Sequence, residues 1–347
     1  MSTKARSNIK SLVFDSILLA YLFCVALVVL FQPTQEQQMA DMGLHCLIAL
    51  GTLVAGFAVT KVLNKFGVIT LGLSVFEPKH DKLKREPKTW FKTFWGIQFI
   101  VTFVVTFVVA TVLTRFSFYE IFDAEGYAGA VRIFTALVTP NWSVLPSGIL
   151  AVIETIFMAF MATMVAIPIA FFMAFFCAKN IMGKSTTNMT IYFLLRTFLN
   201  VTRSIEPLIW AIIFSVWVGI GPFAGMLALM IHSVASLTKQ YSEIIESVDN
   251  GPIEGIVATG ANSVQAIWFG IVPQVVLPYI SFTIYRWDIN VRMATVIGLV
   301  GGGGIGTLLI QYQGQALWNE VGTLAFLIVL VVWSLDTASA YIREALK

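Results

Sequence analysis

Eight long apolar runs divide this chain and constrain its fold more than any other feature: roughly Ser11–Phe31, Leu44–Thr60, Phe91–Thr114, Gly148–Cys177, Ile205–Ile220, Pro222–Leu237, Val272–Val300 and Val321–Tyr341. About 20 residues at ~1.5 Å rise cross a ~30 Å hydrocarbon core, so such runs predict transmembrane helices. With 58% of its 347 residues hydrophobic and 12% charged, the chain carries more apolar surface than a soluble domain of its length needs. The expected fold class is an all-α polytopic integral membrane protein with about eight transmembrane helices.

The connecting segments set the orientation. The N-terminal tail carries Lys4, Arg6 and Lys10, whereas Gln32–Gly43 has no Lys or Arg. Lys61–Lys88 is rich in both, Lys179 and Lys184 follow the fourth run, Gly301–Glu320 again has none, and the tail holds Arg343 and Lys347. Basic flanks face the cytoplasm, so both termini are expected there, as is the segment after the sixth run. The net charge of +3 sits at segment ends and suits lipid headgroups, which argues against nucleic acid as a partner. Cys24, Cys46 and Cys177 lie inside apolar runs without paired spacing, as packing residues do. No metal-ligand spacing occurs elsewhere. The first run is too long for a signal peptide and is expected to be retained. Met189–Thr202 reads as interfacial or as an extension of the fifth helix. Three regions are expected: an N-terminal helix pair over 1–76, a basic linker over 77–92 and a transmembrane core over 93–345.

One stretch of that core, Pro252–Pro278, is amphipathic and punctuated by glycine. Asn250 or Gly251 can cap a helix in which Ile253, Ile256 and Val257 share a face, with Glu254 in the favourable first turn. Gly260 permits the positive φ that ends such a helix. Asn262 or Ser263 can then cap a second short helix carrying Val264, Ile267 and Trp268. Two short helices outside the membrane form either an ordinary loop or a knob that a soluble partner can push.

Glu254, Gly260, Pro273 and Pro278 resemble the coupling loop of binding-protein-dependent ABC importer permeases, with Gly255 and Ile256 replacing its two alanines. The segments GIGPFAG, IHS, ATGAN, VPQVVLP and YRWDINVRMATVIGLVGGGGIGTLL resemble the phosphonate-type permeases in particular. The likeness spans roughly Ile205–Leu309 and fades before Phe91, where the chain carries its extra helix pair. It implies a MetI-like type I importer core, with its coupling loop at about 240–270, in a bacterial cytoplasmic (inner) membrane. The implied partners are a homodimer of ATPase subunits that hold ATP and Mg, an external periplasmic or lipid-anchored solute-binding protein, a second copy of the permease, and membrane lipid. Glu254, Ile256, Gly260 and Asn262 then contact or shape the ATPase-coupling element. This chain is not expected to be an enzyme or to bind a cofactor of its own.

Other constellations bear on transport. Arg286, Asp288, Asn290 and Arg292 interrupt the seventh run, where charge is costly and faces an interior path or a partner. Asp288 and Arg292 can pair at i, i+4, leaving Arg286 with Glu206 as its candidate partner. Two readings stand: an oxyanion path, which suits the planar fork of arginine, or a structural ion-pair network. Arg203 and Glu206 beside Pro207 mark either a path-lining kink or a membrane-edge anchor. Gly301, Gly302, Gly303, Gly304 and Gly306 formally resemble a dinucleotide fingerprint but lack the preceding strand, so they read as a hinge or as close helix packing. Ala178–Ser185 nearly matches a phosphate-binding loop but lacks its first glycine and its strand. His232 reads as a packing residue. A secondary transporter would need an ion site and internal repeats; a membrane enzyme would need an acidic or histidine cluster at one face. Neither pattern is evident.

Overall fold

The computed structural model describes residues 3–31, 42–66, 68–76, 89–183 and 185–346. Among these residues every regular element is helical, and the chain divides into two compact units, Met1–Tyr127 and Ala128–Lys347.

The first unit holds α1 (Thr3–Phe31), α2 (Met42–Lys65), α3 (Leu71–Phe76), α4 (Phe94–Leu113) and α5 (Phe118–Phe122). Helix α1 packs on α2 and also against α3 and α4. Helices α1 and α2 touch where Gly56 meets the Ser16 carbonyl; a Cβ there would lie 2.8 Å from that oxygen. Asp15, buried in α1, organises the start of α3. Its carboxylate accepts the Gly72 N–H at 2.8 Å and the Thr70 hydroxyl, while Gln98 Oε1 accepts the Leu71 N–H at 3.1 Å. These acceptors satisfy first-turn amides that a helix cannot satisfy itself. Most of the expected linker, residues 77–88, lies outside the described residues.

The second unit runs from α6 (Ala124–Val138), in which the division falls, through α7 (Leu145–Phe176), α8 (Lys179–Met182), α9 (Thr186–Ser204), α10 (Pro207–Val218) and α11 (Pro222–Glu246). It continues with α12 (Asn250–Ala258), α13 (Ser263–Ala266), α14 (Val272–Gly298), α15 (Gly304–Gly314) and α16 (Trp318–Ala345). Helices α7, α11 and α14 pack on one another at its centre. The faces that α7 and α11 bring to this contact are rich in small residues. On α7, Ala151, Thr155, Ala159, Ala162, Ala166, Ala170 and Ala174 are buried at three- and four-residue spacing; on α11, Ala224, Gly225, Ala228, Ala235 and Ser236 match them. Lipid tails are as apolar as leucine, so membrane helices gain little by hiding large side chains and associate where small ones let backbones approach. The large residues Phe157, Phe172 and Trp333 point outward instead.

Each of the eight expected spans falls on a helix. By length and apolarity, however, four helical stretches among the described residues qualify to cross a membrane: Phe94–Leu113, Trp142–Phe176, Ser263–Gly298 and Trp318–Ala345. A fifth qualifies if α9 and α10, bent by 90° at their junction, count together. Helix α10 alone has 12 residues, about 18 Å, and the C-terminal half of α11 carries Lys239, Gln240, Glu243 and Glu246. Met189–Thr202 is thus part of a separate helix, bent sharply away from the expected fifth span.

The glycine run links α14 to α15. Gly303 has φ +80°, and a Cβ there would fall 2.6 Å from Pro222 Cγ. A Cβ on Gly298 would lie 2.7 Å from the Gly306 Cα, so the two helices meet backbone to backbone. The α15 amides of Gly304 and Ile305 donate to Glu154 Oε1 at 3.2 Å and Thr155 Oγ1 at 2.9 Å on α7. Gly306→Val is expected to destabilise the fold by about 1–3 kcal/mol through overpacking, read as a lowered melting temperature in detergent. Gly129→Ala, at a helical site where an added Cβ meets nothing within 4 Å, should not lower it.

Candidate functional site

Helix α14 carries four polar residues at alternate positions. At ~100° per residue they split into two i, i+4 pairs on nearly opposite faces. Arg286 and Asn290 face α7 and α11. Asn290 is fully buried; its Nδ2 donates to Thr163 Oγ1 on α7 and to Ser233 Oγ on α11, both at 2.8 Å, and its Oδ1 accepts from Ser233 Oγ at 3.1 Å. Arg286, 7% exposed, donates from Nε to Ser233 Oγ at 3.2 Å. It has no ion pair among the described residues, and Glu206, its expected partner, is exposed at the α9–α10 break.

The other pair faces α16. Arg292 bridges Asp288 at 3.5 Å and Asp336 at 2.6 Å, while Arg343 lies over the Tyr285 ring at 5.1 Å. The set of six proposed path residues therefore separates. Arg292 and Asp288 join a network between two helices, Arg286 and Asn290 form a buried polar core, and Arg203 and Glu206 lie exposed at the break. That break follows from Pro207, which starts α10 without an N–H. At the break the Ile205 carbonyl accepts from His232 Nδ1 at 3.3 Å, next in sequence to Ser233, so the break abuts the polar core.

The expected knob differs in detail. Asp249, not Asn250 or Gly251, caps α12, its Oδ1 accepting the Gly251 N–H at 3.1 Å; an aspartate reaches the second amide without spending its own backbone turn. Gly260 ends the helix at φ +88°. Asn262 caps α13 in a capping box with Gln265. However, α13 is no separate helix. It runs through a π turn, Ile267–Ile271, into α14, because Pro273 has no N–H for the regular ladder. Ile253 and Ile256 face inward onto Gly270, whereas Val257, expected beside them, is exposed together with Glu254 and Asn262. Trp268 and Phe269 extend that exposed face.

Residues 151–347 match the family of binding-protein-dependent transport system inner membrane components. The chain belongs to this family. It is thus a multi-pass permease with a type I ABC importer core. A phosphite transport system permease of Stutzerimonas stutzeri is 35% identical over 208 residues, covering 60% of this chain and 74% of that one. A phosphate-import permease of Mycolicibacterium smegmatis is 29% identical over 218 residues, covering 62% of this chain and 40% of that one. The matched stretch thus ranges from well under half to about three quarters of these relatives. In fold, the permease is similar to an inward-facing MetNI methionine ABC transporter, with TM-score 0.52, 22% identity, and coverage of 60% of this chain and 99% of that one.

Four polar residues of this permease escape a reading by sequence: Thr163, Ser233, Gln274 and Asp336. All four lie inside apolar runs, and only their partners on other elements give them meaning. The alanine spacing on α7 was a usable signal, since it marks the face from which Thr163 projects. Asn290→Ala removes the bonds to Thr163 and Ser233 and is expected to cost about 2–3 kcal/mol at roughly 1 kcal/mol per bond. A double-mutant cycle with Ser233→Ala, followed by thermal unfolding, should give a coupling of at least about 0.5 kcal/mol.

Proposed function

We propose that this permease is the membrane half of an ATP-driven importer for phosphite, phosphonate or a related phosphorus oxyanion such as phosphate. Two copies form the path, a homodimer of separate ATPase subunits binds and hydrolyses ATP with Mg, and a periplasmic or lipid-anchored protein delivers the substrate. Both termini and α12 lie on the cytoplasmic side. Glu254 and Asn262, exposed beside Val257, Trp268 and Phe269, face the ATPase, with Gly260 shaping the turn between them and Ile256 seating the helix from behind. Gly301, Gly302, Gly303, Gly304 and Gly306 serve close packing of α14 and α15.

The observation that carries the substrate class is Arg286, a cation halfway along a membrane-crossing helix without a carboxylate partner among the described residues. A charge at that depth costs about 2.5–3.5 kcal/mol on insertion scales. An oxyanion passing through the dimer would meet its guanidinium fork, which pairs bidentately with phosphorus oxygens. Ser233, itself bonded to Asn290, holds that guanidinium through its Nε. Arg292, already engaged by two aspartates, is a structural residue in this scheme, and Arg203 flanks the path at the break.

In proteoliposomes with the ATPase and loaded binding protein, Arg286→Leu should lower phosphite uptake at least about tenfold, the loss of one charge-assisted bond of ~1.5–3 kcal/mol. Complex assembly should survive. Arg292→Gln should instead lower thermal stability and leave uptake per folded complex within about twofold. Uptake driven by an ion gradient without any ATPase would overturn the importer reading, and Arg286→Leu with unchanged uptake would overturn the path assignment.

A further inference from the structure

The coupling helix is tied to the path by one side chain. Val272 N–H bonds to the Ile267 carbonyl five residues back, and the π turn that results widens the base of α14. Gln274, one residue past Pro273, occupies this base. Its Nε2 donates to the Gly270 carbonyl at 2.7 Å and to the Asp249 carbonyl at 3.2 Å, and its Oε1 accepts the Asp249 N–H at 3.1 Å. The amide thereby pairs with both backbone groups of the residue that caps α12, as a neighbouring strand would. Among the described residues these are the only side-chain hydrogen bonds that join α12 or its cap to another element. Ile253 and Ile256 close on Gly270 behind them.

From that base, α14 keeps contact with α11 along its length. Tyr279 stacks on Tyr241 at 3.8 Å, Tyr241 OH donates to Thr283 Oγ1 at 2.5 Å, and Arg286 and Asn290 meet Ser233 further along. A displacement of α12 that reaches Gln274 therefore enters the helix that carries the polar core. Without Gln274, α12 is held by its chain connections and by apolar contact alone, which tolerates sliding.

We propose that Gln274 is a positioning residue that locks the coupling helix to α14, so that movement of α12 is delivered to Arg286 and Asn290. This rests on the importer reading above. Two measurements test it. In the full-length permease in detergent, Gln274→Ala should raise amide hydrogen exchange over residues 250–258 by at least about tenfold, the effect of losing two to three hydrogen bonds, while α7 stays protected. Gln274→Glu, which keeps the acceptor but loses both donated bonds, should raise it as well. In proteoliposomes with ATPase and binding protein, both variants should hydrolyse ATP at the basal wild-type rate yet consume several-fold more ATP per phosphite imported. Unchanged exchange in both variants overturns the lock, whatever the transported compound. Raised exchange with an unchanged ATP-to-substrate ratio overturns delivery through α14. A wild-type complex whose ATPase ignores loaded binding protein overturns the importer reading instead.

Discussion

The close approach of α7, α11 and α14 is the constraint on which the rest of the second unit depends. Alanine, glycine, serine and threonine line much of the α7 and α11 contact faces, so the backbones come near enough for one asparagine of α14 to bond to both helices at once. Larger residues would hold the helices apart and leave the Asn290 amide unsatisfied in a medium without water, at several kcal/mol. Packing and polar chemistry are thus one arrangement here. The small residues allow the contact, and the bonds of Asn290 to Thr163 and Ser233 select one register of it. Arg286 can be held between the helices because Ser233 is already fixed by Asn290.

Helix α14 separates two uses of charge by rotation. On one face, Arg292 is neutralised by Asp288 and Asp336 and stitches α14 to α16. On the other, Arg286 has a hydroxyl partner and no carboxylate among the described residues. A single neutral hydrogen bond offsets about 1 kcal/mol of a larger burial cost. A structural role alone would be better served by a hydrophobic residue of similar volume, which is why the unpaired arginine carries the functional argument and the paired one does not.

Much of this was legible in the sequence, and the misses have physical causes. Apolar runs located α1, α2, α4, α7, α10, α11, α14 and α16, since burial in lipid demands length and apolarity over a whole segment, whereas the amphipathic α6 and α9 fell outside them. Capping chemistry gave the turn at Gly260 and narrowed the second cap to Asn262 or Ser263, of which the structure uses Asn262, because both signals are local. Asp249 was overlooked for its neighbours although its side chain is the better acceptor. The continuity of α13 with α14 depended on a π turn, which periodicity does not signal. The separation of Arg286 from Arg292 was implicit in their six-residue spacing, but which face met carboxylates required α16, with Asp336 far along the chain. Likewise, Gln274 looks like an ordinary polar residue between prolines until Asp249 is brought beside it.

The turn at Gly219–Gly221 and the run at Gly301–Gly304 meet in space, where Ile220 lies against Gly301 and Pro222 against Gly303. A side chain at Gly301 or Gly303 would collide with that turn, so the two connections can share one level only because the run is bare there. The Gly304 and Ile305 amides just beyond it are taken by Glu154 and Thr155, which anchors the run to α7 as well.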